Sequence, residues 1–247
     1  MVRAEKARID YNDEIPVARR VNAPIRVKTG LPKLLSLLSI CLVGFITTFV
    51  FVKRSFDSRS LEASLSLLND GPSSDGRLIG HFPYREASPE DLEIIRPGIR
   101  IKSETAKYLE KMVRAAAADR VYLSLLSGYR SHELQKEIFF EVKSERNQTA
   151  TERGKVSAPP GYSEHSTGYA IDIGDAGRPE THFEVGFETT WAFRWLKKNA
   201  AKYHFVLSFP KNNSQGVSYE PWHWRFEGSA EALRAFEEAR KFSQSNK

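Results

Sequence analysis

Residues Ser163–Asp175 read SEHSTGYAIDIGD, and the reading of this stretch decides the fold. Its second half, Tyr169–Ile173, alternates as a strand does, with a carboxylate, Asp172, between Ile171 and Ile173. A carboxylate inside an apolar strand is costly to bury unless it is paired or bound to a metal. The first half is a polar loop carrying His165, seven residues before Asp172. Gly168 lies between the two and lets the backbone bend from loop to strand.

Outward from this strand, helical and strand patterns intermingle. Ser103–Asp119 is expected to be a helix with Ser103 as N-cap, and Val121–Leu126 a short strand. Ser131–Arg146 places Leu134, Ile138 and Val142 on one helical face. Thr189–Tyr203 reads as a helix whose Trp191 and Trp195, four apart, belong in the core. Phe205–Phe209 and Trp222–Phe226 read as strands, and Ser229–Phe242 as a Ser-capped helix. Several connections are too short for parallel crossovers, so the expected class is α+β with a largely antiparallel central sheet and flanking helices.

The chain has 247 residues and a net charge of +6, with 40% hydrophobic and 28% charged residues, which excludes wholesale disorder. Residues 1–54 hold ten Lys/Arg and four acids, so all of the excess lies there and the remainder is neutral. Nucleic acid is therefore not expected as a partner, since the basic character belongs to a tail and not to a domain face. The lone cysteine, Cys41, excludes an intrachain disulfide and cysteine-based zinc clusters. Any metal must be held by histidine and carboxylate.

Leu34–Val52 is a run of 19 residues without charge, bounded by Lys33 and by Lys53-Arg54. A helix of that length spans about 30 Å, one hydrocarbon core. The run is longer than the roughly 7–15 apolar residues of a signal peptide, and about thirty residues precede it. Ile40 before Cys41 does not fit a lipoprotein signal. An uncleaved transmembrane anchor is expected. Arg19, Arg20, Arg26, Lys28 and Lys33 on its N-terminal side outnumber Lys53, Arg54 and Arg59 on the other. The N terminus is then cytoplasmic and the C-terminal bulk extracytoplasmic. The expected organisation is a disordered cytoplasmic tail (1–33), an anchor (34–52), a Ser/Asp/Gly-rich flexible tether (53–77) and a folded domain (78–245).

Of six histidines, two keep unusual company: His165 in the opening stretch, and His223 in YEPWHW, three residues after Glu220. Two imidazoles, one carboxylate and water satisfy a catalytic zinc ion. Each residue also has an ordinary reading, as packed core histidine, strand-edge acid or loop charge. His223 sits between Trp222 and Trp224, which strand alternation sends to the opposite face. His81, His132, His182 and His204 match no ligand spacing.

Three motifs in order, SGYRSHELQ, SEHSTGYAIDIGD and EPWHWRFEG, resemble the VanY-type D-alanyl-D-alanine carboxypeptidases, zinc peptidases of bacterial cell-wall metabolism. The likeness covers roughly residues 78–228. It implies that His165, Asp172 and His223 bind one Zn2+ and that Glu220 is the catalytic base. It implies that Arg130 stabilises the polarised carbonyl or holds substrate, and that Gln135 and Ser163 line the substrate pocket. The implied activity is removal of the terminal D-alanine from peptidoglycan stem peptides, the implied partner. L,D-carboxypeptidase or endopeptidase action on the same peptides, or a non-catalytic zinc-containing wall-binding module, are the alternatives. Glu220 argues against the last. Ser166 and Tyr169 stand where many relatives have Gln and Leu, which bears on peptide preference.

Overall fold

Leu92–Arg96 (β1) and Ile99–Lys102 (β2) pair antiparallel across a Pro97-Gly98 turn, a hairpin not foreseen above, in a computed structural model that describes residues 72–246. The expected tail, anchor and most of the tether lie outside the described residues. Among the described residues no helix is long and apolar enough to cross a membrane. Ser103–Ala118 (α1) follows β2 directly and buries Leu109, Met112 and Ala116 on one stripe. Its N-cap is Lys102, not Ser103, because the strand runs straight into the helix and the Ser103 hydroxyl turns to the Asp91 carbonyl.

Leu123–Ser127 (β3) leads into His132–Glu145 (α2), capped by Ser131, whose hydroxyl accepts from the Leu134 N–H. The buried positions of α2 are Gln135 and Phe139, while Leu134 is 42% exposed. The apolar face expected through Leu134 is thus displaced by one residue, and the helix turns a glutamine inward. Ala150–Gly154 (α3) carries a capping box between Thr149 and Glu152. Ala170–Asp175 (β4) is the strand of the opening stretch, preceded by a 3₁₀ turn over Glu164–Thr167.

Trp191–Asn199 (α4), Phe205–Leu207 (β5), His223–Phe226 (β6), Ala230–Ala235 (α5) and Glu237–Ser245 (α6) complete the order. Ser229 caps α5, and the single closing helix expected is broken at Phe236. Trp195 is buried, but Trp191 is 73% exposed, so only one of the pair is core. Trp191 is the first residue of α4 and stands beside Arg194, clear of the sheet.

The main sheet has the order β3-β4-β6-β5, antiparallel throughout. The fold is α+β with antiparallel sheets and flanking helices. In the central pair Ile171 lies opposite Trp224 and Asp172 opposite His223. Alternation sends Ile171, Ile173, Trp224 and Phe226 into one core with α1 and α4. Each fully buried side chain of this kind contributes roughly 1.5–3 kcal/mol. The opposite face receives Asp172, His223 and Arg225. The register that fills the core therefore sets an acid beside an imidazole on the other face, and a slip of one residue would exchange the two sets.

Candidate metal centre and cleft

His165 reaches this face from the 3₁₀ turn. Gly168 closes the turn at φ 73°, and its carbonyl accepts from the Lys102 N–H at 2.9 Å. A Cβ there would be strained by the left-handed conformation and would press on Lys102 and Leu92 at 3.0 Å, which would have to give way. The His165 Nδ1–H donates to the Gly128 carbonyl at 2.6 Å, which fixes the tautomer and leaves Nε2 facing inward. Nε2 lies 3.2 Å from Asp172 Oδ2. Asp172 Oδ1 lies 3.2 Å from His223 Nδ1. His165 and His223 meet edge to face with ring centroids 4.7 Å apart.

The donor atoms of His165, Asp172 and His223 all lie within 4.8 Å of one another, and all three residues are buried. His165 Nε2 and Asp172 Oδ1 are buried with no hydrogen-bond partner. Two nitrogens and one oxygen, two of them orphaned, suit a divalent cation of borderline softness. The fit extends to protonation. Burial and the Arg130 charge lower His165 to about 4, so it is a neutral ligand at pH 7. Burial works against the Asp172 carboxylate, but His165 and His223 hold it well below the usual carboxylate range. Burial works against a charged His223 as well, yet the Asp172 and Glu164 carboxylates beside it push it up to about 10.

Glu220 precedes β6, its N–H donating to the Phe209 carbonyl at 3.1 Å. Its carboxylate comes within 3.8 Å of His223 Nδ1. Burial pushes it up to about 7, helped by the charges of Asp172 and Glu164 and opposed by His223 and Arg130. Arg130 donates its backbone N–H to the His165 carbonyl at 3.3 Å, and its buried Nε has no partner. Gln135 donates to the Ala158 carbonyl at 2.7 Å, and its Oε1 is unpartnered. Arg130, Gln135, Ser163 and Glu220 line one cleft of about 450 Å³ with the three candidate ligands. All seven residues singled out in the sequence thus meet in one place. Ser166 and Tyr169 do not line it: both are buried, and the Tyr169 hydroxyl donates to Glu104 at 2.6 Å.

Trp222 also departs from the expectation. The strand begins at His223, so alternation does not govern Trp222, which forms a cleft wall with Phe183. The other histidines are not part of the ligand group, although His81 lines the same cleft. His81 bonds the Gly154 carbonyl at 2.7 Å and His182 the Asp175 carbonyl at 3.0 Å.

Sequence reasoning missed Glu164. This buried acid accepts from His223 Nε2 at 2.9 Å, Ser208 Oγ at 2.5 Å, Arg225 Nη1 at 2.8 Å and the Tyr84 hydroxyl at 3.4 Å. It fixes His223 so that Nδ1 faces the other ligands. A signal was present: Arg225 follows His223 by two on a strand, hence shares its face, and a guanidinium there needs an acid.

A buried His/Asp/His group beside a basic carboxylate matches the donor set of metal sites of the two-histidine, one-carboxylate class. Residues 98–229 match the VanY D-alanyl-D-alanine carboxypeptidase family, and the chain belongs to it. It is 36% identical over 155 residues to a D-alanyl-D-alanine carboxypeptidase of Enterococcus faecalis, covering 59% of this chain and 55% of that protein. The chain spans about half the length of the curated relatives that it matches first, at 55% and 48%. Among solved structures it is similar to a variant of the vancomycin-resistance D,D-pentapeptidase VanY in complex with Zn(II). That match has 31% identity and TM-score 0.51, over 65% of this chain and 93% of the other. It is also similar to the LD-carboxypeptidase LdcB, with 31% identity and TM-score 0.52, over 64% and 78%.

Proposed function

We propose that this protein is a zinc D,D-carboxypeptidase that hydrolyses the bond before the terminal D-alanine of peptidoglycan stem peptides. The observation that carries the reading is the convergence of His165, Asp172 and His223 on one point with Glu220 beside them. Family membership and the zinc-bound relative support it. Zinc, when bound, supplies a Lewis acid and lowers the pKa of coordinated water to about 7. The chain's own groups do the rest. Glu220, held near neutral basicity, takes the proton from the attacking water at its Oε2 and returns it to the departing amine. Arg130 presents a buried guanidinium to the carbonyl oxygen as negative charge develops there. Ser163 and Gln135 orient the end of the peptide, and the Phe183–Trp222 wall keeps bulk water from that side. No side-chain nucleophile is required.

Incubating the zinc-loaded full chain with defined pentapeptide and tetrapeptide stems tests the proposal. D-Alanine is expected from the pentapeptide. Release from the tetrapeptide alone assigns the L,D bond instead, and release from neither contradicts both. We further propose that Leu34–Val52 anchors the chain in the cytoplasmic membrane with the peptidase domain outside. Protease digestion of intact spheroplasts is expected to remove the domain; full protection contradicts that orientation.

A further inference from the structure

Arg153 and Arg225 are both buried, and they are treated differently. Arg225 is bracketed by Glu164 and Glu227, each at 2.8 Å. Arg153, on α3, has no acid. Its Nη2 donates to the Ile138 carbonyl at 3.3 Å, and its Nε is buried without a partner. The charges it feels are those of Arg146 and Arg130, both repulsive. A buried guanidinium among like charges is costly unless an anion is supplied. Its mount is nonetheless rigid. The capping box starts α3, His81 holds the Gly154 carbonyl, and the Ser218 N–H donates to the Lys155 carbonyl at 2.8 Å.

Arg153 and Arg146 line the same cleft as the metal group. Two amide oxygens on that cleft, Gln135 Oε1 and Gln148 Oε1, are also buried and unpartnered, and as acceptors they suit the N–H groups of a bound peptide. Of the lining acids, Glu164, Asp172 and Glu220 belong to the metal end, and Glu184 is exposed and makes no ion pair with Arg153 or Arg146. On the function proposed above, the substrate's C-terminal carboxylate falls to Arg130 and Ser163, which flank His165. One carboxylate there leaves Arg153 and Arg146 uncompensated. Successive residues of an extended peptide lie about 3.5 Å apart, so a second acid a residue or two away stays within the cleft.

We infer that Arg153 and Arg146 form a second anion subsite, which reads a free carboxylate on the stem peptide other than the one at its C terminus. Peptides carrying a diaminodicarboxylic acid with its spare carboxylate free are the preferred substrates, and amidated or lysine-containing peptides are poor ones. A guanidinium–carboxylate pair in a sheltered site discriminates by about tenfold or more.

The test uses the zinc-loaded full chain and two pentapeptides ending in D-Ala-D-Ala that differ only in that spare group, free carboxylate or carboxamide. The native chain is expected to favour the free acid at least tenfold in kcat/KM. Arg153→Gln and Arg146→Gln should each bring the ratio towards one, with Arg153→Lys in between. Arg146 is exposed, so its replacement leaves the packing intact. Equal use of both peptides by the native chain, or a ratio unmoved in both glutamine variants, overturns the inference. If neither peptide is hydrolysed, the proposed function fails by itself. Calorimetric affinities of the zinc-loaded Glu220→Ala protein for the same peptides then decide the subsite: a tenfold gap that Arg146→Gln removes supports it, and equal affinities contradict it.

Discussion

At the metal end of the cleft, Glu164 takes four donors and compensates both His223 and Arg225, whereas at the α3 end Arg153 has one carbonyl, that of Ile138, and the like charges of Arg146 and Arg130. The difference lies in what each end awaits. At the metal end His165 Nε2 and Asp172 Oδ1 face the other donors without a hydrogen-bond partner. Behind them Glu164 and the Gly128 carbonyl hold the two imidazoles in orientation. The α3 end has a rigid backbone but an unneutralised charge, and its neutralisation is left to the substrate. One end fixes chemistry and the other selects among peptides.

The largest blow to the metal end is expected at Glu220. Glu220→Gln should lose turnover by about 10²–10⁴-fold while keeping one zinc per chain, since a general base contributes on that scale. Full activity by D-alanine release would mean that another base acts. Glu164→Ala comes next, because it strands Arg225 and should cost about 3–5 kcal/mol in urea unfolding. Glu164→Gln, which keeps a shape and an acceptor, should weaken zinc by about 10–100-fold with a smaller loss of stability. Unchanged zinc affinity in Glu164→Gln would remove Glu164 from the supporting layer.

Acidity sharpens the same contrast. His223, pushed up to about 10, carries a proton at pH 8 that zinc must displace, whereas His165, at about 4, carries none. Zinc binding at pH 8 should therefore release about one proton. Affinity should rise about tenfold per pH unit between about 7 and 9, where only His223 of the pair still titrates. Calorimetry in buffers of different ionisation enthalpy reads this directly, and zero proton release would contradict the hydrogen-bond assignment. The smallest effect belongs to the α3 end: Thr149→Ala removes one half of its capping box and should cost about 1 kcal/mol. It should leave zinc affinity untouched.

The central sheet was legible because alternation in Tyr169–Ile173 and in the strand after Pro221 marked the core face. The ligand set was legible only through the resemblance of the three motifs, since His165 stands on a 3₁₀ turn outside either strand. What stayed hidden depended on partners distant in sequence. Glu164 is a loop acid until His223, 59 residues away, is brought to it. Arg153 is an ordinary helical arginine until burial deprives it of water. The β1–β2 hairpin was legible in Pro97-Gly98 between two β-branched runs but was passed over. Trp191 misled because spacing four apart marks a helix face, and this short helix starts at Trp191 itself, where the side chain is exposed.

Zinc content by elemental analysis of the purified full chain, beside its His223→Ala variant, tests the centre most directly. The account predicts one zinc per native chain and almost none in the variant, because one of three donors and the anchor to Glu164 are lost together. Equal zinc in both proteins would contradict it.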